Sequence, residues 1–145
     1  MTSDIVSLGA VQVRYFPADG DVGYALLQWE APPGSPSPPV HVHHRTDEGF
    51  YVLTGTFRFL VDRETVDAFP GTHVAVRKGL PHTFWNAGSE PATCLIVLTP
   101  PDFAPYLRDL SEGLGTSPTE EHAVQVRREL SARYDIEVVG PPITP

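Results

Sequence analysis

The feature that most constrains this chain is a run of short strand-like segments divided by turn residues. VQVRYF, YALLQWE, VHVHH, GFYVL, TFRFLVD, HVAVR, HTFWN and TCLIVL follow one another between residues 11 and 98. Strands at such close spacing, with no helix between them, fold into an antiparallel sandwich or barrel. The connections DGDVG, APPGSPSPP, DRET, FPGT and AGSEP carry the Gly, Pro, Asp and Ser that tight turns need, and the 16 prolines fall mostly there and in loops.

After Thr99 the period changes. Phe103, Tyr106, Leu107 and Leu110 mark one helix face, with Gly113 or Gly115 as its stop. For a second helix, Ser117 and Glu120 have capping-box spacing, Pro118 falls at the first helical position, and Ala123, Val126 and Leu130 form the stripe. Both stripes are expected to cover the open side of the sheet. The tail YDIEVVGPPITP should end as an extended strand. A length of 145 residues suits one core, so residues 1–145 are expected to form one domain, with the barrel over about 8–99 and the helices and tail over about 100–145.

The formal charge of −8, with its ten basic residues scattered, argues against nucleic acid as a partner. Nine of those ten are Arg, which with abundant Pro, Ala and Val hints at a GC-rich bacterial source. No run of about 18 apolar residues spans a bilayer, and MTSDIVSLGA lacks the layout of a signal peptide, so a cytoplasmic location without membrane contact is expected. The lone Cys94 sits in the apolar run ATCLIVL and reads as a buried, inert thiol.

Histidine placement carries the chemistry. His41 and His43 stand two apart, so on a strand both imidazoles leave one face. Glu48 shares parity with Phe50 and Val52, and a hairpin turning over Arg45–Asp47 would bring its carboxylate beside them. His82, in the strand-like HTFWN, is the candidate fourth ligand. Three imidazoles and a carboxylate suit Fe, Mn, Co, Ni, Cu or Zn rather than Ca or Mg. His44 has the opposite parity and should point away, while His73 and His122 read as surface residues. Parity places Phe50 and Phe84 on the site's wall, and Phe57, Phe59 and Trp29 complete the expected apolar substrate lining.

These residues make the chain resemble a single-domain cupin, and specifically the small quercetin-dioxygenase-like cupins. Gly34, His41, His43, Glu48 and Gly55 fill the first cupin motif, with one extra residue before His41. Gly71, Gly79, His82 and Asn86 fill the second, where Arg77 stands in place of the usual proline. The resemblance implies an all-β, double-stranded β-helix of jelly-roll type holding one divalent transition metal ion on His41, His43, Glu48 and His82. It also implies a dioxygenase acting on an enol- or phenol-bearing hydrophobic substrate, with Glu48 as general base and dioxygen as co-substrate. The fold hosts other chemistries, so a non-oxidative isomerase, cyclase or lyase and a non-catalytic small-molecule-binding protein are alternatives. Uncovered edge strands lead to the expectation of a homodimer.

Overall fold

The computed structural model describes residues 4–145, so the first three residues of the start read for a leader lie outside it. Within these residues no helix is long and apolar enough to cross a membrane. The strands are β1 (Ile5–Leu8), β2 (Val11–Phe16), β3 (Ala25–Ala31), β4 (Pro39–Val42), β5 (Asp47–Thr54), β6 (Phe57–Val61), β7 (Glu64–Ala68), β8 (His73–Val76), β9 (His82–Asn86), β10 (Ala92–Thr99) and β11 (Glu137–Pro142). A 3₁₀ turn at Pro101–Phe103 and helices α1 (Pro105–Leu114) and α2 (Glu120–Ser131) lie between the last two strands.

Two antiparallel sheets result, in the orders β1-β2-β3-β10-β5-β8 and β11-β4-β9-β6-β7. Alternation explains how they face each other. In β10 every second residue, Ala92, Cys94, Ile96 and Leu98, is buried, and β5 buries Glu48, Phe50 and Val52 in the same rhythm. Phe57, Phe59 and Phe84 from the second sheet meet Phe50 from the first. Phe50 lies 4.9 Å from Phe59 and 5.0 Å from Phe84, ring centroid to centroid, and Phe59 stacks on Phe84 at 5.4 Å. Removing each such ring from water contributes about 1.5–3 kcal/mol, which makes this cluster the anchor of the barrel.

The connection from β4 to β5 corrects one expectation. The strands are not a hairpin: β4 pairs with β9 and β11, whereas β5 pairs with β10 and β8 in the opposite sheet. Residues 43–46 form a corner between sheets. Two strands escape the sequence pattern altogether. One is β1; the other is β7, whose residues 64–67 are all exposed and whose start lay within the presumed turn DRET.

In α1, Tyr106 and Leu110 are buried, and in α2, Val126 and Leu130. The first helix ends on Gly115, whose φ of 67° suits glycine. The second begins later than Ser117 and Pro118 suggest, because Thr119 is the N-cap: its hydroxyl accepts the His122 amide at 3.1 Å, with Glu120 and Glu121 in the first turn. The tail adds β11 to the edge of β4, with Glu137 opposite Val42 and Val138 opposite His41.

Candidate metal centre

His41 and His82 are direct register partners on β4 and β9, which sets their imidazoles side by side with centroids 4.4 Å apart. His43 follows β4 at the corner and Glu48 reaches across from β5, so the four residues come from both sheets. One donor atom from each lies within 4.8 Å of every other, and all four residues are buried. Gly79 supports this geometry from the turn before β9, where it adopts φ 92° and its amide donates to the His43 carbonyl at 2.7 Å.

Backbone carbonyls aim the three rings. Nδ1 of His41 donates to Pro39 O at 2.7 Å, Nδ1 of His43 to Asp135 O at 2.6 Å, and Nδ1 of His82 to Leu80 O at 2.9 Å. Placing the ring proton on Nδ1 leaves each Nε2 with its lone pair toward the common centre. His43 Nε2 is buried without a hydrogen-bond partner, although Glu48 Oε1 lies only 2.6 Å away. Glu48 Oε1 is also 3.2 Å from His82 Nε2. Acceptor atoms crowded this closely, one of them orphaned, fit a cation between them. The donor set of neutral imidazoles and one carboxylate is that of a transition-metal site.

The electrostatics of His41 and Glu48 agree with that assignment, whereas His43 is drawn toward an ion pair with Glu48 where no cation lies between them. Burial, reinforced by His82 and His43, lowers the His41 pKa to about 3 and keeps that ring neutral. Burial alone would also lower His43, but contact with the Glu48 carboxylate outweighs it and raises its pKa. Burial pushes the Glu48 carboxyl up, and His43 with His82 overcomes this and holds it well below the usual carboxylate range. Glu48 is therefore an anion, ready to bind a cation.

The centre opens into a cavity of about 330 Å³ between the sheets and the C-terminal segment. His41, His43 and Glu48 form one part of its wall, and most of the rest is apolar, including Trp29, Phe84 and Leu98. Of the five aromatics expected along the substrate, Trp29 and Phe84 line this cavity. Phe50, Phe57 and Phe59 do not: they are fully buried in the cluster behind Phe84. Parity identifies which residues point inward, but not how deep in the barrel each one sits.

His44 points outward and meets Glu137 Oε2 at 2.7 Å, and His73 and His122 are exposed. Asn86, the last residue of the second motif, binds the carbonyls of Ala31 and Glu90 through Nδ2 and the Gly88 amide through Oδ1, so it secures a turn.

Two contributors gave no sign in the sequence that they belong to the site: Phe103, read there as part of a helix face, lies in the 3₁₀ turn before α1, and Asp135 lies in the tail. Phe103 packs on His43 with centroids 4.3 Å apart. Asp135 orients His43 through its carbonyl, while its carboxylate accepts from the amides of His44 and Arg45 and from the Thr46 hydroxyl, at 2.7 to 2.8 Å. The tail thereby clasps the corner that carries His43.

Residues 27–98 match the family model of the cupin domain. No curated protein matches the chain in sequence. Among solved structures, the chain is similar to a sugar phosphate isomerase of the cupin superfamily from Silicibacter pomeroyi, at 27% identity and a TM-score of 0.57. That likeness covers 62% of this chain and 59% of the isomerase, so the chain spans little over half of that structure's length. It is also similar to a protein from Thermus thermophilus, at 27% identity and a TM-score of 0.54 over 61% of this chain and 84% of that one. KdgF from a Halomonas species shares the fold at 19% identity, with a TM-score of 0.59 over 67% of this chain and 86% of its own. The fold is the cupin double-stranded β-helix.

Proposed function

We propose that this cupin barrel is a metal-dependent enzyme that binds a small, mainly apolar substrate through an enol or phenol oxygen and acts on it as a dioxygenase. The observation that carries this reading is the joining of four convergent donors to a cavity with an apolar wall. His41, His43, His82 and Glu48 would hold the ion. A redox-active transition metal bound there supplies the route by which dioxygen reacts with an organic molecule.

The chain's own residues do the rest. Trp29 and Phe84 hold a flat or hydrophobic body and exclude water from it. Glu48 is the base, being the carboxylate that lines the cavity beside the place where the substrate's hydroxyl would sit. An apolar enclosure strengthens that transfer because no solvent competes for either partner.

The likeness to a sugar phosphate isomerase favours a second reading, a non-oxidative isomerase using the same donors. Against it stands the mostly apolar wall, since the hydroxyl-bearing body of a sugar needs hydrogen-bonding partners along its length. Oxygen-electrode traces on metal-loaded protein, run with a panel of flavonols and small β-diketones and followed by product mass, separate the two. Substrate loss with matching oxygen uptake and a Glu48→Gln variant at least about a hundredfold slower is the expected result. Turnover without oxygen uptake overturns the dioxygenase reading.

A further inference from the structure

The cavity has a second polar place, away from the four donors. Tyr106 on α1 lines it, is only 2% exposed, and holds its hydroxyl without a hydrogen-bond partner. Arg127 on α2 lines the same cavity, half-buried, and forms no ion pair among the described residues. That is notable in a chain with 18 acidic and 10 basic residues. The two groups belong together: Arg127 is the charge that opposes the effect of burial on the Tyr106 hydroxyl. Tyr106 stacks on Phe103 at 4.8 Å, and Phe103 packs on His43, so one aromatic ring separates this pair from a metal ligand. Apart from Glu48, no acidic side chain among the described residues lines the cavity.

An arginine and a buried hydroxyl that face only each other beside apolar walls leave donor groups over, which is costly unless an acceptor completes them. A carboxylate satisfies both, taking two parallel N–H bonds from the guanidinium and one O–H bond from the phenol. Leu107, Leu110 and Leu114 of α1 also line the cavity and suit a hydrocarbon body. We infer that Arg127 and Tyr106 form an anion-reading end of the cavity, and that the ligand is an apolar monocarboxylate whose reacting end faces His41, His43 and Glu48. This rests on the reading of the cavity as the substrate site, and it fixes which chemical class enters.

The test compares octanoate with 1-octanol, which share a chain and differ in the head group, by calorimetric titration of the metal-loaded full chain. Octanoate should bind more tightly, by about tenfold or more, and Arg127→Met should abolish that advantage while leaving octanol binding within about twofold. Arg127→Lys should restore part of it. Tyr106→Phe, which keeps the ring against Phe103, should reduce it about threefold and serves if Arg127→Met fails to fold. Metal content of these variants should equal that of the wild type, so a failed metal site is read separately. Equal binding of acid and alcohol by the wild type overturns the inference. So does an octanoate advantage that survives Arg127→Met but vanishes on metal removal, which would place the carboxylate on the ion.

Discussion

Three backbone carbonyls, those of Pro39, Asp135 and Leu80, decide which nitrogen each imidazole presents, and the centre depends on that choice as much as on the imidazoles themselves. His82→Ala removes one of four donors and should cost most of the bound metal in elemental analysis of protein purified without chelator. Full occupancy in that variant would defeat the four-ligand site. Asp135 yields a prediction with a sign. Burial pushes its carboxyl up, but the Thr46 hydroxyl and the amides of His44 and Arg45 outweigh this and lower its pKa below the ordinary aspartate value. Its contribution to stability is therefore complete above the unfolded pKa of about 3.9 and is lost as pH falls through the lower folded value. Asp135→Asn should lower stability at pH 7 by about 1–3 kcal/mol and flatten the acid limb of the stability profile, and coincident urea curves would show that the clasp contributes nothing. Cys94 is fully buried and its thiol is pushed far up, so intact-mass spectra should show no iodoacetamide adduct until the protein is unfolded. The four convergent donors were legible in the sequence because parity and motif spacing are local properties. Asp135 was not, since it meets His43 across 92 positions and carries no periodic signal.

Elements were legible where burial imposed a period. Seven of the strands bury alternate residues, or nearly so, and those segments stood out; β7 buries only Ala68, and nothing in ETVDA distinguishes an exposed edge strand from a loop. Pairing was harder than existence. A hairpin and a sheet-to-sheet corner both bring Glu48 near His41 and His43, and the corner wins because β4 completes its hydrogen bonds with β9 and β11. The helix pair has its own test. A methyl group at Gly113 on α1 would lie 2.7 Å from Val126 Cγ1 on α2, too close for undisturbed packing. Alanine is a better helix former than glycine by about 1 kcal/mol, so Gly113→Ala ought to stabilise an isolated helix. Here it should destabilise the protein by about 1–3 kcal/mol, and added to a Val126→Ala background it should instead stabilise. Thermal unfolding of the four proteins in this cycle checks the reversal.

At the scale of the molecule, alternation and turn chemistry announced a barrel, and the motif spacing narrowed it to one architecture. The size and depth of the cavity were hidden, because they depend on which inward residues α1, α2 and β11 cover. The outer strands of the two sheets are β1 and β8, and β11 and β7. We propose that such edges pair with those of a second copy, and sedimentation should give twice the chain mass of 15.9 kDa; the monomer mass would overturn this. The clasp at Asp135 has a further consequence in the order of synthesis. A nascent chain that has exposed both histidine motifs already carries every donor atom, yet its His43 ring lacks the carbonyl that aims it until the tail has emerged and docked as β11. Capture of an ion by these four donors would thus be a late event in the life of the polypeptide, and a translation product stalled before residue 135 should bind a transition metal poorly while possessing every donor atom.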